Sequence, residues 1–185
     1  MHLLPQPQKL DIHNGFLTIR TFRIHNTCAD ARIAKALEKL PCSDTGIALT
    51  ISTTTDNPET FDLTTEQQSY QLTITEDQVT IIGQTAVGVF YGIQTLRQLL
   101  EQEEIPCLTI TDHPGFEHRG FYHDVTRGKI PTMETLKKII DDVAYFKMNS
   151  LQLYIEHTFP FKEFGEHIEK NGYLTPEEIQ ELDDY

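Results

Sequence analysis

Cysteine is scarce in this sequence and lacks the spacing that disulfides or zinc sites require. Cys28, Cys42 and Cys107 are an odd number, lie far apart and include no Cys-x-x-Cys pair. We therefore expect buried free thiols, which are typical of a reducing compartment, rather than disulfides or a zinc site. The amino terminus shows neither a basic start nor a long apolar run, so no signal peptide is visible and a cytoplasmic location is predicted.

Basic residues are also in short supply. Fifteen Lys and Arg residues stand against 28 Asp and Glu residues, which gives a net charge of −13. An acidic chain without a basic stripe is a poor candidate for binding nucleic acid or an anionic membrane surface. No window approaches the apolar length of a membrane span. A neutral ligand such as a sugar is compatible with this charge, although the charge does not require one.

The first 112 residues contain no catalytic motif, and in particular no His-Glu-x-x-His. Strands are predicted over residues 16–25, 47–51, 70–74, 79–81 and 105–110. The predicted helices cover residues 86–100 and a shorter segment whose inner face is Ala31, Ala34, Leu37 and Leu40. This order predicts an α+β domain in which a mixed sheet carries two helices on one face. We interpret residues 1–112 as a structural module.

Two glycines in the second predicted helix indicate how that helix packs. Gly88 and Gly92 lie four residues apart, and each costs roughly 1 kcal/mol relative to alanine in a helix interior. We therefore expect this helix to lie close against the sheet.

Polar side chains gather in a strand–helix–strand unit between residues 118 and 157. The strands are predicted at Arg119–His123 and Leu151–Ile155. The helix between them has one apolar face, formed by Leu136, Ile139, Ile140, Val143 and Phe146. Parallel strands joined by a helix carry their chemistry at the carboxyl ends of the strands. The residues that fall there are Asp124, Arg127, Glu156 and His157.

Two stretches of the chain resemble glycoside hydrolase family 20, the β-N-acetylhexosaminidases. Residues 70–100, with Ile105-Pro106 and Asp112-His113-Pro114, are similar to the end of that family's non-catalytic N-terminal domain. Residues 116–127, with Lys147-Met148-Asn149, resemble the first strand, first helix and second strand of its (β/α)8 catalytic barrel. The matches occur in the family's order and span most of residues 65–185.

The resemblance implies an accessory domain over residues 1–112, followed over residues 113–185 by the first βαβα units of an incomplete TIM barrel. A complete barrel needs about 250 residues, so we expect the chain to be part of a longer enzyme. Its partner would be the remainder of the catalytic barrel. The uncovered apolar surface and free strand edge predict self-association or partial disorder after about residue 113.

The resemblance also assigns roles to individual residues. The arginine at the place of Arg119 holds hydroxyls of the terminal N-acetylhexosamine in that family, and a guanidinium can donate two parallel hydrogen bonds to adjacent hydroxyls. Pairing of Arg119 with a neighbouring carboxylate is the alternative. Asp124 and Arg127 are expected to form an ion pair that orders the loop after the first strand, as scaffolding rather than catalysis.

The chain departs from the family after the second strand. Many members carry a His-x-x-Asp-Asp-Gln-like run there, whereas this chain reads Tyr154-Ile155-Glu156-His157-Thr158-Phe159, which is closer to a divergent bacterial branch with a Tyr-x-Glu pattern. Glu156 and His157 are candidate substrate-binding residues, and a solvated loop start is the alternative. The irregular spacing of histidines 118, 123, 157 and 167 does not favour a metal, and the family needs no cofactor.

The resemblance implies retaining hydrolysis of terminal N-acetylhexosamine from glycans, in which the 2-acetamido oxygen of the substrate is the nucleophile. An Asp steadies the acetamido group and an adjacent Glu protonates the leaving oxygen. That pair follows the family's fourth strand, so we expect it beyond residue 185 and expect this chain alone to be inactive. The alternative function is a stand-alone carbohydrate-binding or protein-interaction module without catalysis.

Overall fold

The computed structural model describes residues 2–56, 62–163 and 172–185. The chain divides into two compact units, Met1–Glu117 and His118–Tyr185.

The first unit is built on a six-stranded mixed sheet in the order β1–β6–β4–β5–β3–β2. Neighbours from β1 through β6 and β4 to β5 run antiparallel, whereas β5, β3 and β2 run parallel. The strands are β1 Lys9–Phe16, β2 Phe22–Asn26, β3 Ile47–Thr53, β4 Tyr70–Ile74, β5 Gln78–Gly83 and β6 Pro106–Asp112.

Two helices, α1 (Ala31–Leu37) and α2 (Ala86–Leu100), contact each other and share one hydrophobic core with the sheet. Alternate residues of the central strands, such as Leu49, Leu72 and Ile81, are fully buried in that core. This alternation is typical of a sheet with one face covered. The predicted mixed sheet with two helices is therefore present.

The two glycines of α2 lie where the helix meets the sheet. A Cβ added at Gly88 would lie 2.0 Å from the backbone oxygen of Ser69, and one at Gly92 would lie 2.6 Å from Cγ2 of Ile81. Real Cβ atoms do not approach other atoms so closely. The close packing that the glycine spacing predicts is present at both positions.

The prediction of one strand over residues 16–25 is wrong. That stretch contains the end of β1 and the whole of β2, which lie at opposite edges of the sheet. The segment between the two strands crosses one end of the sheet, where Leu17 donates its N–H to the Ile105 oxygen at 2.8 Å. Arg20 donates to the backbone oxygens of Leu100, the last residue of α2, and of Gln102. A single strand cannot make this crossing.

The inner face predicted for the first helix is partly wrong. Ala31 and Ala34 are exposed, and the buried positions are Ile33, Ala36 and Leu37. The large Ile33 side chain, which is 1% exposed, turns the helix so that its own stripe meets the core.

The second unit consists of β7 (Gly120–Asp124), α3 (Met133–Tyr145), β8 (Ser150–Tyr154) and α4 (Pro176–Asp184). The two strands pair in parallel, and α3 connects them. Leu136 of α3 and Val125 are fully buried in a second core cluster. Among the residues that the structure describes, none of the helices is long and apolar enough to cross a membrane.

Local hydrogen bonds fix the ends of these helices. The N–H of Lys147 donates to the Ala144 oxygen and that of Met148 to the Val143 oxygen, which ends α3 in a Schellman motif with Lys147 in the left-handed region at φ 60°. Helix α4 begins with a reciprocal capping box between Thr175 and Glu178.

Replacing Gly88 by alanine tests the packing of α2 on the sheet. Because the new methyl group would overlap the Ser69 backbone oxygen, we expect a loss of about 1–3 kcal/mol in the free energy of unfolding. Urea denaturation measures this change. Gly115→Ala is the matched control, since a Cβ there meets nothing within 4 Å. Equal stability of Gly88→Ala and the wild type would contradict the close packing.

Candidate functional site

The register of β7 and β8 brings their carboxyl ends level. Gly120 pairs with Ser150 at one end and Asp124 pairs with Tyr154 at the other. The ladder extends one residue further, since Val125 donates its N–H to the Tyr154 oxygen at 3.2 Å. The polar residues that follow the two strands therefore lie side by side.

The buried hydroxyl of Thr126 ties the two strand ends together. It donates to the Tyr154 backbone oxygen at 3.2 Å and accepts the N–H of Glu156 at 3.0 Å. It also lies 3.5 Å from the hydroxyl of Thr158. One side chain thus satisfies two backbone groups of β8 and its loop, and it fixes where Glu156 leaves the strand.

Asp124 organises the loop after β7. Its Oδ1 accepts the backbone N–H of Thr126 at 2.8 Å and that of Arg127 at 3.2 Å, while Oδ2 is paired with the Arg127 guanidinium. The Thr126 N–H, together with the Arg127 guanidinium, holds the pKa of the Asp124 carboxyl below its usual value. The expected ion pair between Asp124 and Arg127 is present.

Arg127 is the centre of the polar cluster at this edge. Besides Asp124, it contacts the Tyr154 hydroxyl at 3.4 Å and Glu156 Oε1 at 3.3 Å through Nη2. Its Cζ lies 4.8 Å from the centre of the Tyr154 ring, a cation–π distance. The Tyr154 hydroxyl donates to Glu156 Oε1. We call Asp124, Arg127, Tyr154 and Glu156 the rim cluster.

The rim cluster is open to solvent. The Arg127 side chain is 64% exposed and that of Glu156 is 47% exposed. Within the described part of the chain, Nε of Arg127 makes no hydrogen bond. The guanidinium therefore keeps N–H donors for a ligand while its neighbours hold its plane, an arrangement suited to a pair of adjacent hydroxyls.

Arg119 lies at the other end of the strand. It precedes the first residue of β7, and its Nε donates to the Lys147 backbone oxygen at 2.9 Å, just after α3. Its backbone N–H and oxygen both bond to Asn149, each at 2.8 Å. The structure thus places Arg119 beside the turn that enters β8 rather than with the rim cluster. Its predicted contact with a sugar stays a prediction.

His157 is exposed and follows Glu156 directly. His167 lies outside the described residues. Among residues 2–56, 62–163 and 172–185, no group of three His, Cys, Asp or Glu side chains is placed to hold a metal ion.

Sequence reasoning missed two contributors to this edge. Tyr154 supplies both a ring under the Arg127 guanidinium and a hydroxyl on Glu156. Thr126 joins the strand ends. Their positions gave a partial signal, because each lies at or just after the end of a predicted strand, but neither residue type alone indicates a partner on another strand.

Comparison with known proteins identifies the family. Residues 1–113, which are more than half of the chain, match "Glycosyl hydrolase family 20, domain 2". The chain therefore belongs to glycoside hydrolase family 20. A β-hexosaminidase of Akkermansia muciniphila is 33% identical over 142 residues, a match that covers 64% of this chain and 29% of that protein. The chain thus spans less than a third of the length of this relative.

Solved structures of the same family share the fold. A chitobiase of Flavobacterium johnsoniae matches 99% of this chain and 32% of its own with a TM-score of 0.79, at 22% identity. An N-acetyl-β-hexosaminidase of Streptomyces plicatus, in complex with thio-NAglucal, matches 99% of this chain and 43% of its own at a TM-score of 0.71 and 25% identity.

Thr126→Val tests the link between the strand ends. The valine has the shape of threonine but leaves the Glu156 N–H without its acceptor, while the Tyr154 oxygen keeps only the N–H of Val125. We therefore expect a loss of about 1–3 kcal/mol in unfolding free energy. Thermal or urea denaturation measures it. The control is Thr111→Val at an exposed position of β6. If both variants behaved alike, Thr126 would not be the link.

The pKa of Asp124 can be tested by following its carboxyl with NMR. Because the pKa of Asp124 is lowered, its hydrogen bonds and ion pair stabilise the loop fully at pH values above the ordinary pKa of 3.8. This stabilisation is lost as the pH falls through the lowered pKa. We expect a titration midpoint below 3.8 and faster amide exchange at Thr126 and Arg127 in Asp124→Asn. A midpoint at or above the ordinary value would contradict the geometry.

Proposed function

We propose that the chain forms part of a retaining exo-β-N-acetylhexosaminidase that releases terminal N-acetylhexosamine from glycans. Residues 1–112 are then the non-catalytic accessory domain, and residues 113–185 are the first βαβα units of its (β/α)8 barrel. Membership of glycoside hydrolase family 20, whose relatives here are named β-hexosaminidases, is the observation that carries this proposal. The parallel β7–α3–β8 unit is compatible with the beginning of such a barrel.

The rim cluster is the part of the chain that contacts the sugar in this proposal. Active sites of such barrels form at the carboxyl ends of the strands, and Arg127 and Glu156 lie there. Neutral hydroxyls suit a guanidinium whose positive charge is already outnumbered by two carboxylates. His157, next in the chain, is a further candidate for the same sugar. The family resemblance makes Arg119 the other candidate for holding sugar hydroxyls.

The hydrolysis itself would use the acetamido oxygen of the substrate as nucleophile, with an Asp to orient it and a Glu as general acid. The pairs Asp141-Asp142 and Asp183-Asp184 lie on helices α3 and α4. Asp142 is paired with Lys138 at 2.7 Å, Asp141 accepts the Tyr185 hydroxyl at 3.2 Å, and Asp184 accepts from Gln180 at 3.1 Å. Neither pair follows β7 or β8, and the resemblance puts the catalytic Asp–Glu pair after a fourth barrel strand, so we propose that this pair lies outside residues 1–185.

The remainder of the barrel would cover the face of β7 and β8 that carries Tyr122, which is 54% exposed. Without that cover we expect self-association. We also propose a cytoplasmic location, since the three cysteines lack the spacing of a disulfide framework. Cys28 and Cys107 are buried as expected, whereas Cys42 is exposed.

Turnover of 4-nitrophenyl N-acetyl-β-glucosaminide tests the proposed activity. We expect hydrolysis by the full-length protein with retention of the anomeric configuration, which NMR of the first sugar product reports. The 185-residue chain alone should show no turnover, because in this proposal the groups that activate the acetamido and protonate the leaving oxygen lie outside it. An inactive full-length protein, or an active isolated chain, would contradict the proposal.

Two arginine variants of the full-length enzyme separate the two candidate sugar contacts. We expect Arg127→Ala to lower kcat/KM by about 100-fold, since two charge-assisted hydrogen bonds are worth roughly 3 kcal/mol together. Arg119→Ala should act on stability instead, because its side chain supports the turn after α3. Both quantities are measured on each variant. The reverse pattern would move the sugar contact from Arg127 to Arg119.

A further inference from the structure

The side chains of Glu156 and Asp124 differ in their hydrogen-bond partners. Asp124 accepts two backbone N–H groups of its own loop as well as the guanidinium. The side chain of Glu156 instead meets only side chains in the described structure, namely Nη2 of Arg127 at 3.3 Å and the Tyr154 hydroxyl. Its backbone N–H is fixed separately by Thr126 at 3.0 Å. The carboxylate is therefore anchored at its base and directed at Arg127.

The carboxylates of Asp124 and Glu156 pair with different terminal nitrogens of the Arg127 guanidinium. Asp124 engages Nη1, whereas Glu156 engages Nη2, and the Tyr154 ring lies beneath the plane. Removing Asp124 would also release the loop. Removing the charge of Glu156 would leave the loop bonds intact and free one end of the guanidinium. The chain thus offers a way to alter Arg127 without unfolding its surroundings.

From this arrangement we propose that Glu156 is a positioning residue: it orients Arg127 toward the sugar and adds a second negative charge beside it, so that the rim cluster accepts neutral hydroxyls and discriminates against sulfated sugars. This inference rests on the proposed hexosaminidase function. A guanidinium whose charge one carboxylate balances has no net repulsion for an anion, and its free N–H donors can still bind sulfate or phosphate oxygens. An arginine between two carboxylates faces a ligand with net negative surroundings, which repel an anion.

Glu156 could act through its negative charge or through the length of its side chain, and two variants test these contributions one at a time. Glu156→Gln keeps an oxygen that can accept from Nη2 but removes the negative charge. Glu156→Asp keeps the charge but shortens the side chain by one methylene, so it no longer spans the distance to Nη2. Tyr154→Phe removes the hydroxyl on Glu156 and keeps the ring under the guanidinium.

The experiment compares 4-nitrophenyl N-acetyl-β-glucosaminide with its mono-O-sulfated derivatives in the full-length enzyme. For Glu156→Gln we expect the ratio of kcat/KM, sulfated over neutral, to rise about tenfold, the value of one charge-assisted interaction. For Glu156→Asp we expect an unchanged ratio, a KM for the neutral substrate raised about tenfold, and a nearly constant kcat. Tyr154→Phe should raise the same KM by a smaller factor.

Control measurements keep the outcomes distinct. Glu103→Gln makes the same charge change at an exposed position of the first unit, and it should leave the ratio and KM unaltered. Thermal unfolding of each variant shows whether the fold is kept. A hydrolytic wild type whose substrate ratio and KM do not respond to either Glu156 variant would overturn this inference alone. A wild type that hydrolyses neither substrate would overturn the proposed function and this inference with it.

Discussion

The parallel pairing of β7 with β8 is the constraint on which the candidate site depends. Its register sets Asp124 beside Tyr154, and a slip of one residue would turn the side chains of β8 to the opposite face. The Thr126 hydroxyl then joins the two ends by hydrogen bonds to the Tyr154 oxygen, at the end of the ladder, and to the Glu156 N–H just beyond it. Arg127 and Glu156 are not held in place by burial, since their side chains are 64% and 47% exposed. Their relative positions therefore depend on these backbone hydrogen bonds and on the ion pair between them.

The chemistry of the rim cluster follows from unequal numbers of charges. One guanidinium is held by two carboxylates and an aromatic ring, while much of its surface faces solvent. Exposed ion pairs of this kind add little to stability. Their consequence is orientation, because a planar group with fixed neighbours presents its remaining donors in a defined direction. A rigid donor is what recognition of sugar hydroxyls requires.

Much of the fold could be predicted because its signals are local. The strands β3 to β5 and the close packing of α2 are indicated by short-range patterns of residues, and both are present. β1 could not be predicted in this way, since it is an edge strand that pairs with β6 on one side and most of its residues are exposed. Its exposed Leu10 and Ile12 give no contrast between buried and solvent-facing positions.

The site was only partly predictable for a different reason. That Asp124 and Arg127 would pair follows from a spacing of three residues after a strand. The contacts of Arg127 with Tyr154 and Glu156 join residues 27 and 29 positions apart, and they depend on the strand register that only the structure supplies. The opposite positions of Arg119 and Arg127 along β7 likewise follow from the strand direction rather than from residue type.

In the proposed enzyme, the carboxyl ends of β7 and β8 contact the sugar. A crystal structure of the full-length protein with bound N-acetylglucosamine tests it most directly. We predict a sugar hydroxyl within hydrogen-bond distance of the Arg127 guanidinium, with Glu156 still on Nη2. A sugar bound without any contact to Arg127, or held by Arg119 at the amino end of β7, would contradict the claim.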